Sequence, residues 1–165
     1  MQDPCIQLRP FCQEDWEIIF SILTDDRVNQ TFMLPDFESR EAALPLFRRL
    51  EDLSRDPGRY VRCIALNGAA IGFLNDVEIS DGVVELAYCI HPDFQGKGYM
   101  TGAIAAAMAE LSSLGFREVI AGAFEENIPS IRVMEKCGMT RLPKTDEITY
   151  RGKTHRCVYY HLLLK

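Results

Sequence analysis

The sequence predicts an α/β fold: a central mixed, mostly antiparallel sheet of about seven strands, flanked by helices. Three observations carry this. Two early stretches repeat apolar residues at helical spacing. A β-rich middle is punctuated by tight-turn dipeptides. A glycine-bearing loop then joins a strand to a long helix.

Each element can be justified in turn. Ile6-Gln7-Leu8-Arg9-Pro10 alternates and reads as a first strand. Residues 13–24 carry Trp16, Ile19, Phe20 and Leu23 on one helical face. A second helix is expected from about Ser39 to Ser54, striped by Leu44, Phe47, Leu50 and Leu53. Pro45 inside it should kink or split it, since proline lacks the N–H and clashes with the preceding turn. Residues 60–66 and 69–75 form a hairpin around Asn67-Gly68. Ser80-Asp81-Gly82 turns the chain into the strand Val83 to Ile90, giving a three-stranded antiparallel meander. Gly96 to Leu114 is a glycine loop feeding a helix with Ile104, Met108, Leu111 and Leu114 on one face. A short strand over 118–123 precedes a helix from Asn127 to Cys137, stopped by Gly138. Strands over 139–149 and 154–164, turning at Arg151-Gly152, complete the sheet.

The length suits one domain spanning residues 1–165. No run approaches the roughly 18 apolar residues of a membrane span, and no secretory leader is expected, since Met1-Gln2-Asp3-Pro4 lacks a basic segment followed by an apolar one. The formal net charge of −6 disfavours nonspecific nucleic-acid binding, which depends on neutralising phosphates. Six cysteines lack any C-x-x-C pair and mostly lie in apolar runs, as expected of reduced, buried thiols in a cytoplasmic protein. His91, His155 and His161 are too dispersed for a metal set. A monomer or homodimer is expected, with no membrane partner.

The sharpest chemical signal is Gln95-Gly96-Lys97-Gly98-Tyr99-Met100-Thr101, between a strand and a helix. Unpaired N–H groups and the dipole at a helix start favour anions, and glycine lets backbone approach a phosphate closely. Lys97 could add a cation. The loop is neither a P-loop nor a complete dinucleotide fingerprint, and by itself could be only a tight turn.

With its surroundings, the chain resembles the GNAT superfamily of acyl-CoA-dependent N-acyltransferases. Gln95, Gly98 and Met100 occupy the defining positions of that family's pyrophosphate loop, Q/R-x-x-G-x-G/A; Met100 departs from it by replacing a small residue. Asn127-Ile128-Pro129-Ser130 and Val133-Met134-Glu135-Lys136-Cys137-Gly138-Met139 resemble its N-x-x-S…EK-x-G-[FM] segment, especially in the ribosomal-protein N-terminal acetyltransferase branch.

The resemblance implies a V-shaped cleft between the strands near 83–91 and 118–123. It implies acetyl-CoA as co-substrate and a primary amine as acceptor, either a protein N-terminus or a small molecule. Pantetheine would hydrogen-bond the backbone of Cys89, Ile90 and His91, with an amide near Ile90 polarising the thioester carbonyl. The pyrophosphate would lie on residues 95–101, and Asn127 would face the pantetheine or adenosine part. Acceptor contacts would come from 24–40 and 144–156.

Direct attack needs a base for the amine and an acid for the thiolate. Glu85 interrupts an apolar strand, and partial burial would raise its pKa; it could equally be a solvent-facing residue on an alternating strand. Ser130 matches the family's thiolate partner, but serine at a helix start is also a common cap. Tyr159 and Tyr160 are alternative acids that could equally be packing residues. A non-catalytic acyl-CoA sensor is the competing reading; it would keep the glycine loop without a working base.

Overall fold

The computed structural model describes residues 4–165; Met1, Gln2 and Asp3, which enter the expectation of no leader, lie outside them. The chain runs β1 (Ile6–Arg9), α1 (Trp16–Leu23), α2 (Asp26–Asn29), α3 (Arg40–Leu53), β2 (Val61–Leu66), β3 (Ala69–Ser80) and β4 (Val83–Ile90). It continues with α4 (Tyr99–Ser113), β5 (Glu118–Phe124), α5 (Ile128–Lys136), β6 (Thr140–Tyr150) and β7 (Lys153–Leu163). The seven strands lie in the order β1-β2-β3-β4-β5-β7-β6. Only β4 and β5 pair in parallel; the other neighbours are antiparallel. This is the α/β fold that the sequence predicts.

Local chemistry explains the hairpins. Asn67-Gly68, Asp81-Gly82 and Arg151-Gly152 each have positive φ at both central residues. That geometry matches the strand twist and is easiest with glycine second. Among the described residues, no helix is long and apolar enough to cross a membrane.

The sheet buries a different core on each face. One includes Leu74, Val84, Leu86, Ile104, Leu111 and Met134, under α4 and α5. The other includes Ile19, Ile22, Phe47, Val61, Phe73 and Cys89, under α1 and α3. Alternation along β4 thus sends even-numbered side chains towards α4 and α5, and odd-numbered ones the other way.

Three expectations need correction, and one element was not foreseen. First, α3 runs unbroken through Pro45. The missing bond falls on the carbonyl of Glu41, an exposed first-turn residue, where water can satisfy it. Second, Leu114 does not join the α4 stripe: it follows the helix and is 58% exposed, while Met100 and Ala103 take its place in the core. Third, the short helix α2, capped by the Asp25 side chain on the Arg27 amide, lacks the long periodicity that marked the other helices. Fourth, only three of the six free cysteines (Cys63, Cys89 and Cys157) are buried.

Candidate active site

The site begins where two strands part. β4 and β5 are in register from Val83–Glu118 to Leu86–Ala121, and the pairing ends there. Beyond it, Ala87 to Ile90 and Gly122 to Phe124 diverge, opening a cleft bounded by exposed backbone edges. Cys89 pairs with Phe73, and the His91 amide donates to the Ile71 carbonyl at 2.8 Å, so both face β3. By alternation, the backbone groups of Tyr88 and Ile90 face the cleft. Gln95 Nε2 reaches the Ile90 carbonyl at 3.4 Å, consistent with that direction.

Gly72 supports this curvature. A Cβ there would lie 2.3 Å from the Cys89 carbonyl oxygen, so only glycine lets β3 follow β4 so closely.

A cavity of about 840 Å³ occupies the cleft on the α4–α5 side. Its floor includes Gln95, Gly96, Gly98 and Tyr99. Gly96 and Gly98 have φ of 74° and 82°, and Gly98, the N-cap of α4, has no side chain to cap the first turn. The amides there stay available to an anion. Met100 is 7% exposed and packs into the core beneath the loop, although it also borders the cavity. Thr101 also lines the cavity. Lys97 does not; its ammonium lies 5.8 Å from the Phe94 ring centroid. The His91 ring caps the turn after β4, accepting from the Asp93 amide. Cys89 is 8% exposed, and burial pushes its thiol pKa well up. Asn127 caps α5 through the Ser130 amide and also borders the cavity.

Sequence reading missed two contributions. Arg132 and Lys136 bring positive charge to the walls of this cavity although the chain is acidic overall, joined by Arg27, which is paired with Asp25, and opposed by Glu126. Arg132 and Lys136, one helical turn apart on α5, carried that signal. The second is Tyr88, whose hydroxyl lies 2.8 Å from Ser130 Oγ and 3.2 Å from the Ser130 carbonyl. Burial first raises the Tyr88 pKa and the Ser130 bond opposes it; the outcome is about 12. An aromatic hydroxyl inside an apolar strand was its sequence signal.

A second cavity, of about 390 Å³, lies on the other side of the sheet and is lined by Glu85. Burial raises the Glu85 pKa; Lys144 opposes this, while Glu78, directly across in β3, and Asp146 add to it. Residues 31–34 and Ile148 supply walls, from the two regions expected to contact the acceptor. Tyr159 lines this cavity and donates to Asp146 at 2.8 Å, away from Ser130. Tyr160 faces α5, with its hydroxyl 3.3 Å from Glu135. The cavities share Thr31, Phe32, Ala87, Gly122 and Ala123 at the strand split.

These residues suit coenzyme A. The helix start and bordering cations fit its phosphates, and the unpaired β4 edge fits its amide-bearing arm. An acetyltransferase (GNAT) domain model matches residues 6–140. The chain belongs to the GNAT acetyltransferase family. It is an acyl-CoA-dependent acetyltransferase.

An uncharacterized N-acetyltransferase, YnaD, of Bacillus subtilis (strain 168) is 24% identical over 164 residues, covering 96% of this chain and 92% of YnaD. Two solved structures share the fold. Spermidine N-acetyltransferase from Vibrio cholerae, in complex with CoA and spermine, aligns with a TM-score of 0.81 and 18% identity, covering 96% of this chain and 95% of that one. An acetyl transferase from Salmonella typhimurium that modifies the N-terminal serine of ribosomal protein L7/L12 has a TM-score of 0.83 and 16% identity, covering 97% and 95%.

Proposed function

We propose that this GNAT protein transfers the acetyl group of acetyl-CoA to a primary amine by direct attack. The observation that carries the reading is the meeting of two cavities, one on each face of the sheet, where β4 and β5 separate after Leu86 and Ala121. A donor held on one side can present its thioester at the opening to an amine held on the other.

The backbone of residues 95–101 holds the pyrophosphate, aided by Arg27, Arg132 and Lys136. The Tyr88 and Ile90 edge orients the pantetheine arm, and the Ile90 amide donates to the thioester oxygen. Glu85 accepts the amine proton; burial raises its pKa, which makes its carboxylate the stronger base. Ser130 donates a proton to sulfur, and Tyr88 restores that proton through their hydrogen bond. One C–N bond forms and one C–S bond breaks; the proton from nitrogen goes to Glu85, the proton on sulfur comes from Tyr88 through Ser130, and both groups return to their starting states by exchange with solvent as products leave.

Thermal shifts with acetyl-CoA, ATP and NAD test the donor assignment, and thiol release with an amine panel tests transfer. Stabilisation by acetyl-CoA alone, with amine-dependent thiol release, is expected. Stabilisation by ATP or NAD instead would overturn the reading.

A further inference from the structure

The acceptor-side cavity has a one-sided chemistry. Glu85 is the only charged residue lining it among the described residues. Its walls are mainly apolar, with Phe32, Met33, Leu46, Phe73, Val77 and Ile148 among them. Asp146, on the last hairpin, already accepts from Tyr159 and lies 3.9 Å from Lys144, and Glu78, paired with Glu85 from β3, does not line the cavity.

The rim adds an independent observation. Met33 and Val77 are 52% and 57% exposed, two of the five exposed large hydrophobic residues among those described. Both border this cavity. Val77 is there because of a β-bulge: Asp76 pairs with Leu86 and Glu78 with Glu85, leaving Val77 between them unpaired. Bulges re-aim side chains, and this one sets an apolar group beside the proposed base.

We propose that the acceptor is a small primary monoamine with an apolar aryl or alkyl body and no carboxylate. Its nitrogen lies at Glu85, and its body covers Phe32, Met33 and Val77. This deepens the transferase reading above and rests on it. Glu78 and Asp146 act on Glu85 but do not line the cavity, so the further charges of a polyamine would meet its apolar walls. A free amino acid would bring a carboxylate to a cavity with no lining cation. At about 390 Å³, the cavity lies near the low end of the roughly 300–1,000 Å³ typical of ligand sites. The reaction step is unchanged: nitrogen gains the acetyl group and loses a proton, while sulfur gains one.

The test is kcat/KM by thiol release for 2-phenylethylamine, phenylalanine, spermidine and a short peptide beginning with serine. The expected result favours 2-phenylethylamine over each of the others by roughly 10–100-fold. Val77→Glu, at an exposed position, adds a second carboxylate and should shift the ratio towards spermidine by about tenfold. A preference for spermidine, phenylalanine or the peptide would overturn the proposal while leaving the transferase reading intact. An unchanged ratio in a folded Val77→Glu variant would also overturn it. Absence of thiol release with every amine would reject both readings.

Discussion

Glu85 and Tyr88 stand three residues apart on β4, an odd spacing that turns them to opposite faces of the sheet. Glu85 looks into the smaller cavity, whereas Tyr88 reaches Ser130 on α5. In the proposed mechanism, proton removal from the amine and proton delivery to sulfur thereby fall on separate sides of one strand. A carboxylate beside the departing thiolate would oppose its charge; this geometry keeps the two apart.

Glu85→Gln should lower kcat by about 10²–10⁴ with little change in acetyl-CoA affinity. Burial raises the Glu85 pKa, so wild-type activity should rise with pH through a midpoint above the ordinary carboxylate range. The variant should lose that limb and recover partly at high pH, where more amine is already neutral. A pH profile of kcat for both proteins checks this; matching activity at neutral pH would reduce Glu85 to a strand residue.

Ser130→Ala and Tyr88→Phe should each slow thiolate release, the serine change by roughly 10²-fold. Raising the pH should not repair either, because the amine is not the affected partner. If the hydroxyls act as one unit, the double variant should be little slower than Ser130→Ala alone. Single-turnover measurements of all three proteins test the coupling, and simple additivity would break the proposed relay.

Gly98→Asp should raise the acetyl-CoA Kd by at least about 10²-fold by placing a carboxylate where phosphate is expected. Nothing lies within 4 Å of a Cβ at this position, so the added group meets open space. The φ of 82° carries some strain, although aspartate tolerates the left-handed region better than most residues. Circular dichroism should show a retained fold while calorimetry shows lost binding. Unchanged affinity would remove the pyrophosphate from this loop.

Gly72→Ala should destabilise the protein by about 1–3 kcal/mol, read by urea unfolding. The added methyl would meet the Cys89 carbonyl, which is backbone and cannot simply swing away. Because that contact lies behind the cleft edge of β4, the surviving folded protein should also bind acetyl-CoA more weakly. A neutral effect on both would mean that β3 and β4 relax apart at little cost.

What was legible in the sequence was what neighbouring residues decide. Asn67-Gly68, Asp81-Gly82 and Arg151-Gly152 announced hairpins because their backbone geometry is local. Gln95 to Thr101 announced a loop at a helix start for the same reason. The direction of Glu85 was not legible: Val83 to Ile90 is apolar on both sides of the alternation, and only packing distinguishes the faces. The Tyr88–Ser130 contact joins residues 42 positions apart, beyond any local pattern. Pro45 misled because its rule concerns the lost bond and the clash, whereas the outcome depends on whether the stranded carbonyl can reach water. The bulge at Val77 likewise arises from strand pairing, with no glycine there to mark it.

The Tyr150 hydroxyl accepts from the Leu34 amide and donates to the Phe32 and Leu34 carbonyls, at 3.2 to 3.3 Å, while Arg151 pairs with Asp36 at 2.6 Å. The fastened segments are more than a hundred residues apart in the chain. Translation proceeds from the N-terminus, so the 32–36 segment emerges early and its fasteners near the end. A nascent chain that has passed α5 already carries the whole glycine loop, and Phe32 can already meet Phe73, yet the segment still lacks its fasteners on the last hairpin. The segment that walls the smaller cavity is thus fastened only when the last hairpin is made, the same hairpin whose β7 pairs with β5 and completes the sheet beneath both cavities.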